Sequence, residues 1–594
     1  MVKASLADIS LQLSLIVLVL LASTSGSLVS RQDDIAIATP DTTQNLTWWQ
    51  TAIFYQVYPR SFKDSDGDGV GDIRGIISEL DYLKDLGIDC VWLSPVYKSP
   101  MKDFGYDISD YKDIDHIFGS IDDFRDLISE IHNRDLKFIT DFVPGHVSVE
   151  HEWFKRSVKR DGKYTNYFIW SDGKVLANGT RVPPNNWLSV FGGSAWEWNE
   201  ERGQYYFHAF ATVQVDLNYR DENLQWEIKD TFRFWLDLGV DGFRIDAFSQ
   251  LVESANTSLD EPLSGNDVPP NEYAYLKHVY TADQPESIPI LASWYEVLQE
   301  YILKDGKERY MVVEIYATPQ VRNRLYVTGA SPFNFDLLSM SAKPTGQEIL
   351  HMVMSEYDEL PTGRWPNFVL GNHDNRRISH KYGAEYVNVY NTLLLTLWGT
   401  PTTYYGEELG MLEAEISWED TVDPQGLGAG PLRYKQFTRD PERTPMQWTD
   451  GYQAGFTTGN TTWLPLAENY TQLNVKVENS SSEQTSLKLY RQLARLRKSQ
   501  AFQTGVFKAA LANDDILAYL RIGATKAYLV VLNVGRDTIV DLSRYAGDAG
   551  TPVAVTPGTR GVKEGVSVDL HALSLAPGDG LVLEVNRNHD YIIG

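Results

Sequence analysis

The segment VDGFRIDA (240–247) is short, and its second half contains the charged residues Arg244 and Asp246. This pattern is typical of a buried strand with a polar terminus. Segments of the same kind recur along the chain: AIFYQVYP (52–59), DCVWLSP (89–95), KFITDFVP (137–144), YMVVEIY (310–316), FNFD (333–336), NFVLGNH (367–373) and PTTYYG (401–406). Between them, patterns such as RGIISELDYLKDLG have apolar residues at i, i+3, i+4 and i+7, which is typical of amphipathic helices. Strands alternating with helices predict an α/β fold with a parallel sheet, and eight such units predict a (β/α)8 TIM barrel.

Two parts of the chain break this alternation. Residues 144–213 are rich in Asn, Gly and aromatic residues and are too long for a loop, so they predict a small inserted domain after strand 3. We expect its aromatic residues to fill a small core, including Trp187, Phe191 and Trp196. Residues 503–594 contain alternating apolar segments with turns between them, which predict a C-terminal antiparallel β domain. The barrel is therefore assigned to residues 48–143 and 214–502.

The composition excludes several classes of protein. The chain has 594 residues, with 53 Lys and Arg against 80 Asp and Glu, and its net charge is −27. Because binding to phosphates needs a positive potential, this balance argues against a nucleic-acid partner. The single cysteine, Cys90, excludes a disulfide within the chain.

The N-terminus and the sequons indicate a compartment. Residues 1–28 predict a signal peptide, because Lys3 precedes a 12-residue apolar run, LQLSLIVLVLLA (11–22). This run is shorter than the ~20 residues that a membrane span needs, so no stable span is expected, although a signal anchor is the alternative. Six N-x-S/T sequons accompany it, which predicts a secreted, extracellular glycoprotein. The candidate glycosylation sites are Asn45, Asn178, Asn256, Asn460, Asn469 and Asn479.

Acidic residues follow the predicted strands at several points. Asp141, Asp246, Glu314 and Asp374 all lie at or just beyond such ends. In a barrel these ends converge on one mouth, so we expect the carboxyl groups to share a cleft. Neighbouring carboxylates raise one another's pKa and so separate an acid from a base, as glycoside hydrolysis requires.

Eight motifs extend this pattern over nearly the whole chain: QVYPRSF (56–62), FGYDISDY (104–111), DFVPGH (141–146), VDLN (215–218), DGFRIDA (241–247), EIY (314–316), GNHD (371–374) and RDPERTPMQW (439–448). In these motifs and their order the sequence resembles the alpha-amylase superfamily, glycoside hydrolase family 13. Within it, the sequence is similar to insect α-glucosidases (maltases) and bacterial oligo-1,6-glucosidases. Two positions depart from the usual pattern, namely Gly145, where many relatives carry Asn, and Val215, where Pro is common.

The resemblance implies a role for each candidate site residue. Asp246 corresponds to the nucleophile, Glu314 to the general acid/base and Asp374 to the transition-state stabiliser. The substrate-binding residues that it implies are Asp103, Tyr106, His146, Arg244, His373 and Arg443. Among these, Asp103 and Arg443 match residues that pair across the closed end of the pocket. A closed end admits one terminal glucose, so we expect an exo-acting, retaining α-glucosidase with a small-molecule α-glucoside substrate.

Ala247 corresponds to a position that resembles a linkage filter in the family, where a small residue accompanies α-1,4 cleavage and valine accompanies α-1,6 cleavage. We therefore expect maltose and maltooligosaccharides as substrates, with sucrose as a further one. The resemblance leaves two alternatives, a sucrose-using transglucosidase with the same catalytic residues and a non-catalytic binding protein. It does not predict the oligomeric state.

The segment DSDGDGVGD (64–72) predicts a structural calcium site. Its carboxylates alternate with glycines, and hard oxygen ligands at this density suit calcium. An EF-hand is excluded, because its twelfth position would be Gly75 rather than Glu. The resembling glucosidases carry a calcium loop after the first barrel strand, which is where this segment lies. The candidate ligands are Asp64, Asp66, Asp68, Val70 (through its carbonyl) and Asp72.

Overall fold

A parallel sheet of eight strands forms the centre of the computed structural model, which describes residues 36–40 and 45–587. The strands are β1 (Phe54–Val57), β2 (Cys90–Leu93), β3 (Lys137–Phe142), β4 (Gly242–Ile245), β5 (Tyr310–Val313), β6 (Ser331–Pro332), β7 (Asn367–Val369) and β8 (Thr400–Tyr404). Their order in the sheet is β6-β5-β4-β3-β2-β1-β8-β7, and each neighbouring pair is parallel. The predicted (β/α)8 architecture is confirmed.

The sixth strand differs from the prediction. We expected it at residues 333–336, but it is Ser331–Pro332, and Asp336–Ser339 form a 3-10 turn. No backbone ladder joins β6 to β7 within the described residues. Instead, Asn367 Nδ2 donates to Pro332 O (2.7 Å) and Asn367 Oδ1 accepts from Asn334 N (2.9 Å). Because Pro332 has no N–H to donate, a side chain connects the two strands here.

Helices cover the outside of the sheet. The main ones are α1 (Ile73–Ser78), α2 (Leu80–Leu86), α3 (Ile121–Asn133), α4 (Glu222–Leu238), α5 (Ser287–Asp305), α6 (Pro319–Arg322), α7 (Gly346–Glu359), α8 (Val387–Thr396) and α9 (Ser486–Arg497). Helix α3 illustrates why they form. Ser120 and Asp123 make a capping box at its start, and its buried residues are Phe124, Leu127, Ile128 and Ile131, on one face.

A small insertion separates β3 from α4. Strand Trp196–Asn199 pairs antiparallel with Gln204–Phe207, which also pairs with Trp170–Ser171. Trp187 and Trp196 lie with Phe207 in a core of their own, as expected. A second ladder, His146–Ser148 with Gln214–Asp216, connects the insertion to the end of β3 and so places His146 beside the barrel mouth.

The C-terminal part is an antiparallel sheet. Its order is β1′ (Ile37–Ala38), Val506–Ala512, Ile516–Ile522, Ala527–Asn533, Gly580–Val585, Ala549–Val555 and Val568–Asp569. The edge strand β1′ belongs to the N-terminal part of the chain and pairs with Lys508 and Phe507. The predicted signal peptide, residues 1–28, lies outside the described residues. Within residues 36–40 and 45–587, every helix is too short or too polar to cross a bilayer.

Candidate active site

The three candidate catalytic carboxylates share one cavity at the carboxyl ends of the strands. Asp246 follows β4, Glu314 follows β5, and Asp374 follows β7. They line a cavity of about 550 Å³ together with four of the predicted substrate-binding residues, Asp103, Tyr106, His146 and His373. The other two, Arg244 and Arg443, are buried behind this lining.

The buried side chain of Arg244 contacts three carboxylates. Its register partner on β3 is Asp141, and its Nη1 contacts Asp141 Oδ1 (2.8 Å) and Asp246 Oδ1 (2.6 Å). Its Nη2 contacts Glu314 Oε2 (2.8 Å). The guanidinium is 1% exposed, so water screens these contacts little. One cation therefore compensates three buried carboxylates.

The backbone after Asp246 is strained, and this strain brings two catalytic candidates together. Ala247 has φ 44° and ψ 45°, in the left-handed region that a residue with a side chain seldom adopts. In this conformation its N–H donates to Glu314 Oε2 (2.7 Å). The turn that follows Asp246 thus fixes the carboxyl of Glu314.

The carboxyl groups of Asp246 and Glu314 differ in acidity. Burial raises the pKa of Glu314 to about 8, and the charges of Asp246 and Asp374 add to this rise while Arg244 opposes it. Burial also raises the pKa of Asp246 to about 7, again against Arg244. We expected acidic neighbours and an apolar site to raise the pKa of Glu314, and burial is the larger of these two causes. Since Arg244 is shared among three acids, it does not hold Asp246 fully ionised at neutral pH.

Asp374 is the most acidic of the three. Burial would raise its pKa, but the guanidinium groups of Arg439 and Arg443 outweigh burial and lower the pKa below its usual range. The contacts to Asp374 Oδ1 are Arg439 Nη1 (3.1 Å) and Arg443 Nη2 (2.9 Å). Asp374 is therefore a permanent anion in this cavity.

His373 and Tyr106 form a neutral polar wall. Burial lowers the pKa of His373 well below its usual value. Gln56 Nε2 donates to His373 Nδ1 (2.9 Å), so the ring proton lies on Nε2, facing Tyr106 Oη (2.6 Å) and Asp374 (3.3 Å). Tyr106 Oη in turn donates to Asp141 Oδ2 (2.9 Å), and its ring stacks on that of His373 at 7°. The chain of donors leads from Gln56 to Asp141 and orients both rings.

The end of the cavity corrects one prediction. We expected Asp103 to pair with Arg443, but Asp103 Oδ1 contacts Arg439 Nη2 (2.9 Å), whereas Arg443 binds Asp374 and the carbonyl of His373. Arg439 lines the cavity and Arg443 does not. Both belong to the motif RDPERTPMQW, whose sequence alone did not distinguish them.

His146 and Gln214 complete this wall. His146 Nε2 contacts the carbonyl of Tyr106 (3.0 Å), and its Nδ1 has no partner among the described residues. Burial lowers the pKa of His146 to about 4, so the ring is neutral at physiological pH. Gln214 Nε2 donates to Asp103 Oδ2 (3.0 Å). Gln214 immediately precedes VDLN, and sequence reasoning missed it.

The mouth of the cavity contains further residues that the sequence analysis did not select. Tyr273 and His278 come from the loop after β4, and their rings stack with centroids 3.4 Å apart. Phe191 of the insertion also lines the cavity, so the expectation that it fills a core was wrong. The guanidinium of Arg439 lies over the Phe191 ring, 5.3 Å from its centroid. The remaining polar residues of the cavity lining are Ser249, Gln250, Lys277, Asp283, Tyr316, Asn375 and Gln425.

The acidic loop after β1 brings some of its predicted ligands together. Carboxylate oxygens of Asp64, Asp66 and Asp72 lie within 4.8 Å of one another, which suits a hard cation. Asp68 is outside this group, and its Oδ1 accepts from Val70 N (2.7 Å). Asp72 also caps α1 by accepting from Gly75 N (2.8 Å). Three of the four carboxylates thus fit a common ion.

The sequons differ in accessibility. Asn469 is half-buried, and its Oδ1 is buried without a partner among the described residues. The other five side chains are exposed: Asn45, Asn178, Asn256, Asn460 and Asn479.

Comparison with known proteins agrees with this geometry. Residues 56–505 match the family described as alpha amylase, catalytic domain. The chain is 43% identical to the salivary alpha-glucosidase of Anopheles gambiae, over 90% of this chain and 93% of that protein. It is 44% identical to Maltase 1 of Drosophila virilis, over 84% and 81%.

Two further comparisons bear on the alternatives. The chain is 38% identical to the amino acid transporter heavy chain SLC3A1 of Homo sapiens, over 92% of this chain and 79% of that protein. Its structure resembles that of XgtA, an alpha-glucosyl transfer enzyme, with a TM-score of 0.81, 35% identity and coverage of 91% and 100%. The barrel, the strand-end carboxylates and these matches establish that the chain belongs to the alpha-amylase family, on the branch of the insect α-glucosidases (maltases).

Proposed function

We propose that the protein is an exo-acting, retaining α-glucosidase that releases terminal glucose from maltose, maltooligosaccharides and sucrose. One observation carries the proposal: Asp246, Glu314 and Asp374 line a single cavity, and one guanidinium contacts both Asp246 and Glu314. A retaining mechanism needs its two working carboxyls only ~5–5.5 Å apart, so contacts with one guanidinium favour it over the wider inverting arrangement.

The order of acidities supports these roles. Glu314 has the higher pKa and therefore retains the proton that the leaving oxygen needs. Asp246, with the lower pKa, attacks the anomeric carbon as its carboxylate, and the glycosidic C–O bond breaks as the glucosyl–Asp246 ester forms. Glu314, now ionised, takes a proton from water, and the hydroxyl displaces Asp246 with a second inversion. Asp374 remains an anion throughout and stabilises the positive charge that develops on the sugar.

Exo action follows from the end of the cavity. Asp103 and Arg439 are joined by an ion pair there, and Gln214, which also lines the cavity, donates to Asp103, so these three side chains would close this end to a longer sugar chain. Tyr106 and His146 both line the cavity and offer an aromatic face and a polar ring to the terminal glucose.

Three variants test the assignment. Asp246→Asn, Glu314→Gln and Asp374→Asn should each reduce glucose release from maltose by about 10³-fold or more, with thermal unfolding within a few degrees of wild type. Proton NMR of the first product should show α-glucose. β-Glucose as the first product would refute the retaining mechanism, and near-normal activity of Asp246→Asn would refute the site.

Transglucosylation is the second candidate, favoured by the likeness to XgtA. It uses the same first half-reaction, and a sugar then replaces water as the acceptor. Product analysis at high sucrose distinguishes the two, because a transferase accumulates oligosaccharides while a hydrolase yields free glucose and fructose. A purely non-catalytic role, suggested by the heavy-chain relative, is disfavoured because the three carboxylates are all present in this chain.

Calcium at the loop 64–72 is part of the proposal. Asp64, Asp66 and Asp72 would hold the ion, whose positive charge would offset the repulsion among these carboxylates. The loop packs on a later segment: Trp463 N donates to Gly69 O (3.0 Å), and Asp64 N donates to Phe456 O (3.0 Å). The ion would therefore stabilise the contact between these segments and take no part in the reaction.

We further propose that the protein is secreted and glycosylated. The relative from Anopheles gambiae is named a salivary enzyme, and this chain carries an N-terminal apolar run and exposed sequons. Mass spectrometry of the protein from an insect-cell medium tests both points, since the mature N-terminus and the glycan masses are read from the same sample.

A further inference from the structure

Asp423 makes contacts that the reaction does not require, and they lie directly behind the closed end of the cavity. The carboxylate is fully buried. Its Oδ1 accepts from Arg439 Nε (2.8 Å) and lies 2.6 Å from Arg439 Nη2. Arg439 thus binds Asp103, Asp374 and Asp423, and two of these three line the cavity while Asp423 does not.

Asp423 itself is held rigidly. Its Oδ2 accepts from Gly426 N (3.0 Å) and caps the short helix Pro424–Ala429. Its backbone N donates to Asp440 Oδ2 (3.2 Å), and so does the N of Val422 (2.9 Å). A capping role alone would use only Oδ2 and would not place Oδ1 on a guanidinium. The second oxygen therefore has a separate role.

We propose that Asp423 is a positioning residue for the terminal-glucose pocket: it anchors the guanidinium of Arg439 so that its remaining N–H groups face Asp103 and the substrate. The inference rests on the proposed function for its substrate. An arginine has five donors in a fixed planar fork, so holding one edge of the fork fixes the direction of the other. The same anchor fixes the turn that presents Gln425 at the mouth of the cavity.

The substitution Asp423→Asn separates the two roles. Asparagine is as good an N-cap as aspartate, so the cap of Pro424–Ala429 is retained while the negative charge on Arg439 is lost. We expect KM for maltose to rise about tenfold or more, with kcat changed less than about threefold. Binding of the terminal glucose is affected, whereas Arg244 still holds Asp246 and Glu314, and Arg443 still holds Asp374. The dissociation constant of D-glucose, measured by calorimetry, should rise in parallel.

A matched control and a double-mutant cycle complete the test. Asp221→Asn changes another capping aspartate, which accepts from Asn223 N and Leu224 N at the start of α4 and contacts no cavity residue, so KM should be unchanged. In an Arg439→Gln background, Asp423→Asn should have no further effect on KM, since the two act as a unit. If Asp423→Asn does not fold, Asp423→Glu is measured instead. Because this variant keeps the charge, its KM should rise by less than the tenfold expected for Asp423→Asn.

The outcomes are distinct. An unchanged KM and glucose affinity in Asp423→Asn, or an equal effect with and without Arg439, would overturn the positioning role. A wild-type protein that releases no glucose from any α-glucoside would instead overturn the proposed function, and the calorimetric comparison would still decide the role of Asp423.

Discussion

Replacing Arg244 with glutamine should shift the pH optimum of the enzyme upward, not merely reduce its rate. The guanidinium is buried and contacts Asp141, Asp246 and Glu314 at 2.6–2.8 Å. Loss of an opposite charge at this distance raises a carboxyl pKa by ~1–3 units. For a rise of ~2 units, the pKa of Asp246 would move from about 7 to ~9.

The size of the effect follows from the ionised fraction of Asp246. At pH 7 about half of the wild-type molecules carry the ionised nucleophile, and in Arg244→Gln only ~1 in 100 would, a loss of ~50-fold. The pKa of Glu314 would rise as well, because Arg244 lowers it in the wild type. Both limbs of the profile of kcat/KM against pH should therefore move upward together by ~2 units, and most of the lost activity should return near pH 9.

The assay is glucose release from maltose across pH 5–10 with the wild type and the variant. Arg322→Gln is the matched control, since Arg322 is equally buried and binds two carboxylates, Asp336 and Glu356, away from the cavity. It should lower the unfolding temperature without moving the profile. If Arg244→Gln lost activity with an unchanged optimum, Arg244 would only orient the carboxyls, and the charge argument would be wrong.

Four further outcomes are expected. Glu314→Gln should remove the alkaline limb of the profile of kcat/KM, because burial raises the pKa of Glu314 to about 8 and no other proton donor takes its place. Ala247→Val should reduce kcat/KM for maltose relative to isomaltose severalfold, and an unchanged ratio would reject the linkage filter. EDTA should lower the melting temperature by several degrees, because it removes the ion proposed at residues 64–72. Asp64→Asn should melt at a lower temperature than wild type and should respond less to EDTA. An equal melting temperature of the wild type with and without EDTA would remove calcium from the proposal. Glycopeptide mapping should find Asn469 unmodified, because its side chain is half-buried, and should find glycans on the exposed sites, Asn45, Asn178, Asn256, Asn460 and Asn479; a fully occupied Asn469 would contradict this.

The sequence predicted the barrel well because a parallel strand that is buried on both faces consists of a continuous apolar run, which is visible in the sequence. Strands β2, β4 and β5 are apolar runs with turn residues beside them, and each was found within two or three residues. Strand β6 was missed for a physical reason. It is two residues long, it includes a proline, and its junction with β7 depends on the Asn367 side chain, so no apolar periodicity marks it.

The site was predictable where a residue's position depends on its own strand and unpredictable where it depends on a distant loop. Asp246 and Glu314 follow strands in register, and Arg244 faces Asp141 across one ladder, so their meeting follows from the barrel. Tyr273 and His278 come from an irregular loop, and only the fold of that loop brings their rings together at the mouth.

The two arginines of RDPERTPMQW show where sequence reasoning reaches its limit. Arg439 and Arg443 are four residues apart. Arg439 lies before the 3-10 turn Pro441–Arg443 and Arg443 is its last residue, and both reach Oδ1 of Asp374. What separates them is Asp423, whose buried carboxylate binds Arg439 at 2.6 Å and lies 3.8 Å from Arg443. Because the helix cap that fixes Asp423 lies 16 residues before Arg439, no local pattern could assign the pocket end to the first arginine. Asp423, which lies outside the motif, thus determines which of the two arginines lies at the end of the pocket. The substitution Asp423→Asn tests this.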